Sequence, residues 1–149
     1  MQTIPDFTLP ATGGVPFQSN KLQRKRLVLF FYPKDNTPGC TTENQQFRDL
    51  YADFQALDCD LFGISRDSLK AHENFIAKLE LPFALLSDAD EIACQLFGVI
   101  KMKNLYGKQV RGIERSTFLF DKHGKLLKEW RGVKAASHVP EVLDYLKTL

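Results

Sequence analysis

Hydrophobic and polar positions change period several times along the chain, and each change predicts an element. Phe7-Thr8-Leu9 and Val15-Pro16-Phe17 flank the turn-forming Thr12-Gly13-Gly14, which predicts a small N-terminal hairpin. Pro16 cannot donate to a ladder and keeps that hairpin at an edge. Leu27-Val28-Leu29-Phe30-Phe31-Tyr32 is an unbroken apolar run, as expected of a strand covered on both faces, and it stops at Pro33. From Thr41 the period becomes helical, with Phe47, Leu50, Tyr51, Phe54 and Leu57 on one face and Thr42 and Gln45 spaced as a capping box. A helix is therefore expected to open at Cys40.

Further on, 60–65 reads as a second buried strand, 68–79 as a helix with Leu69, His72, Ile76 and Leu79 inward, 83–87 as a third strand and 90–97 as a short helix. Ser116-Thr117-Phe118-Leu119-Phe120 is another covered strand, and Asp121-Lys122-His123-Gly124 supplies a hairpin turn into an antiparallel strand over 126–130. A last helix opens near Ser137, with Pro140 in its first turn and Val142, Leu143 and Leu146 inward. The order is α/β: a mixed central sheet with an N-terminal hairpin and flanking helices. No repeat, low-complexity tract or Pro/Gly/Ser-rich linker interrupts residues 1–149, so one domain is expected.

Composition narrows the function classes. Apolar residues make up 44% and charged residues 26% of the chain, an ordinary globular balance that excludes a disordered or fibrous protein. The formal charge of +2 is spread over interleaved signs, and the one basic run, 21–26, is short, so nucleic acid is not implied. The N-terminal residues lack a basic segment followed by an apolar stretch, and no window reaches the roughly 18 apolar residues of a membrane span; a cytoplasmic protein is expected. Three cysteines, widely spaced, do not form the disulfide framework of a secreted domain, and scattered Cys and His lack the paired spacing of a zinc site. If a cysteine matters here, it matters through reactivity.

The informative stretch is Pro33-Lys34-Asp35-Asn36-Thr37-Pro38-Gly39-Cys40-Thr41-Thr42-Glu43, between a buried strand and a helix start. Unpaired N–H groups of a first helical turn and the positive end of the helix dipole favour an anion, so a cysteine placed there is favoured as thiolate. Pro38 suits a helix start, Gly39 lets backbone approach a ligand, and Thr37 stands three residues before the sulfur with a hydroxyl able to reach the same point.

Pro33-x-x-x-Thr37-x-x-Cys40 resembles the active-site signature of peroxiredoxins. The wider context, Phe30-Phe31-Tyr32-Pro33-Lys34 and Thr37-Pro38-Gly39-Cys40-Thr41, resembles the peroxiredoxin Q or bacterioferritin comigratory protein branch. Pro5-Asp6-Phe7-Thr8-Leu9-Pro10, Phe97-Gly98-Val99, Arg115-Ser116-Thr117-Phe118-Leu119 and Trp130-Arg131-Gly132-Val133 extend the likeness over the whole chain. The resemblance implies a thioredoxin-like fold, no cofactor, and thiol-dependent reduction of hydrogen peroxide and organic hydroperoxides; the scattered Cys and His already argue for no metal. It implies that Cys40 is the peroxidatic nucleophile, that Thr37 and Arg115 orient the peroxide and polarise its O–O bond, and that Pro33 shields the pocket. Glu43 reads either as a support for Arg115 or as an ordinary first-turn carboxylate.

Ionisation of Cys40 cannot account for fast chemistry. A free thiol of pKa about 8.5 is a few per cent ionised at pH 7, so full ionisation gains roughly ten- to thirtyfold, and nucleophilicity falls with pKa. Donors aimed at the departing oxygen contribute about 2.7 to 4 kcal/mol each, which assigns the larger share to Thr37 and Arg115.

Attack leaves a sulfenic acid that must condense with a second thiol. Branch members carry that thiol five residues after the nucleophile or in the following helix, where this chain has Gln45 and Ile76. An external donor, glutathione, glutaredoxin or thioredoxin, is therefore expected, acting on a monomer or weak homodimer. Cys94 is the internal alternative; Cys59 and Cys94 both read as core residues. The rival classes are a dithiol oxidoreductase, which needs Cys-x-x-Cys where position 43 is Glu, a cysteine hydrolase, for which His72, His123 and His138 carry no supporting motif, and a redox-inert binding module.

Overall fold

The apolar run becomes β3 (Arg26–Phe31), the centre of a five-stranded sheet. The computed structural model describes residues 1–22 and 25–149, so part of the basic run 21–26 lies outside the described residues. In chain order the elements are β1 (Thr8–Leu9), β2 (Phe17–Gln18), β3, α1 (Pro38–Asp49), α2 (Tyr51–Ala56), β4 (Cys59–Ser65), α3 (Leu69–Leu79), β5 (Leu85–Ser87) and α4 (Ile92–Leu96). There follow β6 (Ile100–Leu105), β7 (Lys108–Ile113), β8 (Ser116–Phe120), β9 (Leu126–Arg131) and α5 (His138–Lys147). The sheet order is β5-β4-β3-β8-β9; β3 runs parallel to β4 and antiparallel to β8. This is the mixed, thioredoxin-like arrangement that the resemblance implied, with the N-terminal hairpin and flanking helices in place.

Alternation along β3 explains why its sequence is apolar throughout. Leu27, Leu29 and Phe31 point into one core with Phe7, Phe17 and Phe97; Val28, Phe30 and Tyr32 point into the other with residues of α1, α2, α3 and α5. Phe30 stacks on Phe47 of α1 with ring centroids 4.2 Å apart, which ties the helix that follows the Cys40 loop to the central strand. A side chain at Gly63 would put its Cβ 2.8 Å from that same Phe30 ring, so β4 has room only for glycine there.

Register brings one end of three strands together. Phe31 pairs with both Ile64 and Ser116, so the C-terminal ends of β3 and β4 and the N-terminal end of β8 lie together. The loop leading to Cys40 and the residue Arg115 both emerge from this end.

Three local expectations change. The helix begins at Pro38, and the predicted capping box is absent: Thr37 is the N-cap, while Thr42 donates its hydroxyl back to the Pro38 carbonyl at 3.1 Å. The single helix expected over 41–57 breaks at Leu50 into α1 and α2. In α3 the buried positions are His72, Phe75 and Leu79, with Leu69 and Ile76 partly covered. The β6–β7 hairpin was not anticipated, because its alternation mixes lysines with apolar residues and nearly all of it is exposed.

Candidate active site

Thr37, Cys40, Glu43 and Arg115 meet at the first turn of α1. Thr37 has extended backbone (φ −101°, ψ 155°), and its carbonyl accepts the first helical bond from Thr41 N–H at 2.8 Å. The N–H groups of Gly39 and Cys40 precede that ladder and so remain as donors at the positive end of the helix. Arg115, one residue before β8, donates from Nη2 to Cys40 Sγ at 3.4 Å and from Nη1 to Glu43 Oε1 at 2.7 Å. A Cβ at position 39 would lie 3.1 Å from Arg115 Nη2, so Gly39 makes room for the guanidinium. Thr37 Oγ1 donates to the Lys34 carbonyl at 2.8 Å; its proton is committed, and its lone pairs remain as acceptors.

The site confines charge in a dry place. Cys40 is 1% exposed and Glu43 fully buried, with one carboxylate oxygen, Oε2, lacking a partner among the described residues. Burial pushes the Glu43 carboxyl up to about 7 against the pull of Arg115. His138, in the first turn of α5, bonds through Nε2 to Thr117 Oγ1 at 2.7 Å; burial and then the nearby Arg115 charge push it down to about 4, so the ring is neutral.

A second polar group braces the loop from behind. Tyr32 donates to Asp35 Oδ1 at 2.6 Å, His72 Nδ1 lies 2.6 Å from Asp35 Oδ2, and His72 Nε2 reaches the Leu86 carbonyl at 2.9 Å. That carbonyl can only accept, so Nε2 carries hydrogen. Asp35 N–H in turn donates to Asp67 Oδ2 at 2.9 Å, which also accepts from Ser65 Oγ at 2.6 Å. Asp35, Asp67 and His72 bring potential metal-ligating atoms within 4.8 Å of one another, but the contacts are hydrogen bonds joining the loop to β4, α3 and β5. Asn36 completes the turn in the left-handed region (φ 61°), which asparagine tolerates. Sequence reasoning missed this brace: residues 35, 67 and 72 share no local spacing, and only the parallel β3–β4 pairing brings them together.

The AhpC/TSA family model matches residues 1–128, a span that contains this whole cluster. The chain belongs to the AhpC/TSA family. It is a peroxiredoxin, a thiol-dependent peroxidase. Peroxiredoxin Bcp of Xanthomonas campestris is 49% identical over 142 residues, covering 95% of this chain and 89% of that protein. Peroxiredoxin Bcp of Bacillus subtilis is 47% identical over 148 residues, covering 99% and 94%. A solved structure of the Xanthomonas campestris bacterioferritin comigratory protein, described for alkyl peroxide reduction, superposes with a TM-score of 0.90 at 47% identity, covering 95% of this chain and 90% of that one.

The other cysteines of this peroxiredoxin lie elsewhere. Cys59 opens β4 and pairs in register with Arg26, at the opposite end of the sheet from Cys40. Cys94, on α4, belongs to the core on the other face of the sheet. Burial, aided by Asp60, pushes the Cys59 thiol up to about 12; burial and the Asp88 carboxylate push Cys94 upward as well. Pro33 is half-buried and borders a polar recess of about 280 Å³ with Lys34, Arg66, Asp67 and Glu91. A larger recess of about 490 Å³, lined by Phe17, Lys25 and Phe62 among others, lies at the far end of the sheet, away from the chemistry.

Proposed function

We propose that Cys40 is the peroxidatic nucleophile, acting on hydrogen peroxide and organic hydroperoxides. The observation that carries this is the Arg115 guanidinium bridging Cys40 Sγ and Glu43 at the start of α1. The thiolate attacks the terminal peroxide oxygen; the S–O bond forms, the O–O bond breaks, and the electron pair leaves on an alkoxide or hydroxide that takes up a proton. Thr37 accepts a hydrogen bond from the peroxide O–H, and Arg115, with the free N–H groups of the first turn, donates to the oxygens where charge develops. Glu43 is a positioning residue: buried and acceptor-only when ionised, it holds Nη1 and leaves Nη2 for the reaction. Pro33 walls the pocket against water.

The sulfenic acid is then reset by an external thiol, thioredoxin, glutaredoxin or glutathione, in a one-cysteine cycle. Supporting this are Gln45 and Ile76 at the two places where branch members carry a resolving thiol, and the positions of Cys59 and Cys94, which lie at the far end and the far face of the sheet. A disulfide needs Cα atoms within about 7 Å. Residues 1–149 act as one domain in the cytoplasm, as a monomer or weak homodimer; no helix among the described residues is long and apolar enough to cross a membrane.

The test is stopped-flow peroxide consumption by the reduced protein and its Cys40→Ser, Cys59→Ser and Cys94→Ser variants, with mass analysis of the product. The expected outcome is loss of the reaction in Cys40→Ser alone and a sulfenic acid on Cys40 that becomes a mixed disulfide on adding glutathione. A quantitative Cys40 to Cys94 disulfide before any donor is added would sink the one-cysteine cycle.

A further inference from the structure

The β6–β7 arm takes no part in this chemistry, yet it leaves the fold from the end of the sheet that carries Cys40. β7 ends two residues before Arg115, and Glu114 N–H donates to the Val99 carbonyl at 2.7 Å, closing the base of the arm. Glu91 bonds both to Arg111 of the arm and, at 3.1 Å, to Arg66 at the C-terminal end of β4. Glu91 and Arg66 also border the recess that Pro33 and Lys34 close on the other side. Arm, recess and active-site loop therefore share one rim.

Beyond its base the arm is exposed and one-sided in charge. Residues 100–113 hold Lys101, Lys103, Lys108 and Arg111 and no acidic residue, and among the described residues only Arg111 is matched by a carboxylate, Glu91. Register pairs Leu105 with Lys108 and Lys103 with Val110, so these four share one face with Lys101. At the tip Tyr106 is 97% exposed and Leu105 54%. Lys108 flanks this tip, Lys101 lies on the same face, and Lys103 turns back to donate to the Ile113 carbonyl at 2.8 Å. An aromatic and an aliphatic side chain held out in water beside lysines contribute nothing to the fold; this is the composition of a docking anchor with a charged rim. The unmatched positive charge repels a second copy of the same face and complements an anionic partner.

Under the one-cysteine reading above, on which this inference rests, oxidised Cys40 must be reached by a thiol from outside, although its sulfur is almost wholly covered. We propose that the β6–β7 arm is the docking surface for an acidic protein dithiol that reduces oxidised Cys40. The partner's thiolate attacks the Cys40 sulfenic sulfur; an S–S bond forms, the S–O bond breaks, and the oxygen leaves as water after taking up a proton. The partner's second thiol then attacks its own sulfur in the mixed disulfide, which frees Cys40 as thiolate and leaves the partner oxidised to a disulfide.

The experiment compares the full-length protein with Lys101→Glu/Lys108→Glu and Leu105→Ser/Tyr106→Ser. Peroxide turnover is driven by an acidic bacterial thioredoxin with its reductase, or by dithiothreitol. Expected with thioredoxin is a fall of at least tenfold in kcat/KM for both variants, the charge-reversal effect shrinking at 0.5 M salt and the tip effect persisting. With dithiothreitol, and in the single-turnover reaction of reduced protein with peroxide, both variants stay within twofold of the parent. That last measurement reports on Cys40 chemistry separately from docking. Unchanged thioredoxin kinetics, an equal loss with both reductants, or a parent protein that dithiothreitol reduces and thioredoxin does not would each overturn the assignment. So would sedimentation with phosphatidylglycerol vesicles that the variants abolish while thioredoxin kinetics stay unchanged, since the arm would then serve a membrane.

Discussion

Replacing Glu43 by Gln removes a buried charge and keeps its shape, which isolates what the carboxylate does to the fold. Burial raises this carboxyl from 4.5 to about 7, with Arg115 offsetting only part of the cost. Between those two pH values the folded chain holds a proton that the unfolded chain has released, so stability falls as pH rises through the window and levels off above it. The size of the effect is about 3 kcal/mol, at 1.36 kcal/mol for each tenfold change in proton affinity. In a chain of this length that corresponds to roughly 10 °C in melting temperature. The amide introduced by Glu43→Gln has no proton to exchange. The stability difference between Glu43→Gln and the parent should therefore move in the variant's favour by about 3 kcal/mol from pH 4.5 to pH 7, whatever constant offset the amide introduces. Thermal and urea unfolding of the reduced proteins at pH 5, 6, 7 and 8 measures this difference directly. Parallel pH curves, or a difference that moves in the parent's favour as pH rises, would refute the reasoning, because Arg115 would then match or outweigh burial.

Arg115→Met, which removes a donor, should slow the peroxide reaction by roughly a hundredfold or more, and Thr37→Val, which removes the acceptor that orients the peroxide, should slow it too, both beyond what a measured change in Cys40 ionisation explains; rates that fall on the parent's line against thiolate fraction would remove both roles. Gly39→Ala should leave the melting temperature nearly unchanged and slow the same step several-fold, because the new methyl displaces Arg115 Nη2 from 3.1 Å; an unaltered rate in stopped flow would count against a fixed guanidinium. His72→Ala should destabilise the fold by about 2 to 4 kcal/mol in urea unfolding, since it removes one of the two side-chain partners of the buried Asp35 carboxyl and the bond to the Leu86 carbonyl; a loss below about 1 kcal/mol would mean that the brace is replaceable.

The signals legible in the sequence were those with short range. The run from Leu27 to Tyr32 announces a doubly covered strand because both faces of β3 are buried, and the eight-residue signature from Pro33 to Cys40 places a cysteine at a helix start because turn and first-turn residues are local choices. Arg115 was reachable only through resemblance, since its approach to Cys40 depends on β8 lying antiparallel beside β3. The brace of Tyr32, Asp35, Asp67 and His72 was invisible for the same reason: its members converge through sheet pairing. The break at Leu50 escaped because the hydrophobic period continues across it, and periodicity reports which face is buried without reporting whether the backbone ladder is continuous. The β6–β7 arm escaped because strand patterning is strongest where one face is buried, and here nearly nothing is.

The same sheet geometry bears on how the oxidised enzyme is reset. For Cys40 to meet Cys94 directly, the first turns of α1 would have to leave one face of the sheet and reach the core of the other. That movement gives up the Phe30–Phe47 stacking, the Asn44 to Cys40 carbonyl bond at 2.9 Å and the Arg115 bridge, and it offers Cys94 thiol, which burial and Asp88 hold protonated, as the attacking group. An incoming thiol needs none of this. It must only displace what covers Cys40 at the end of the sheet from which the exposed β6–β7 arm also leaves. Resetting from outside therefore leaves the first turn of α1 folded through the cycle and transfers the choice of reductant from the core to the surface. There, a few exposed side chains can set it without disturbing the cluster of Thr37, Cys40, Glu43 and Arg115.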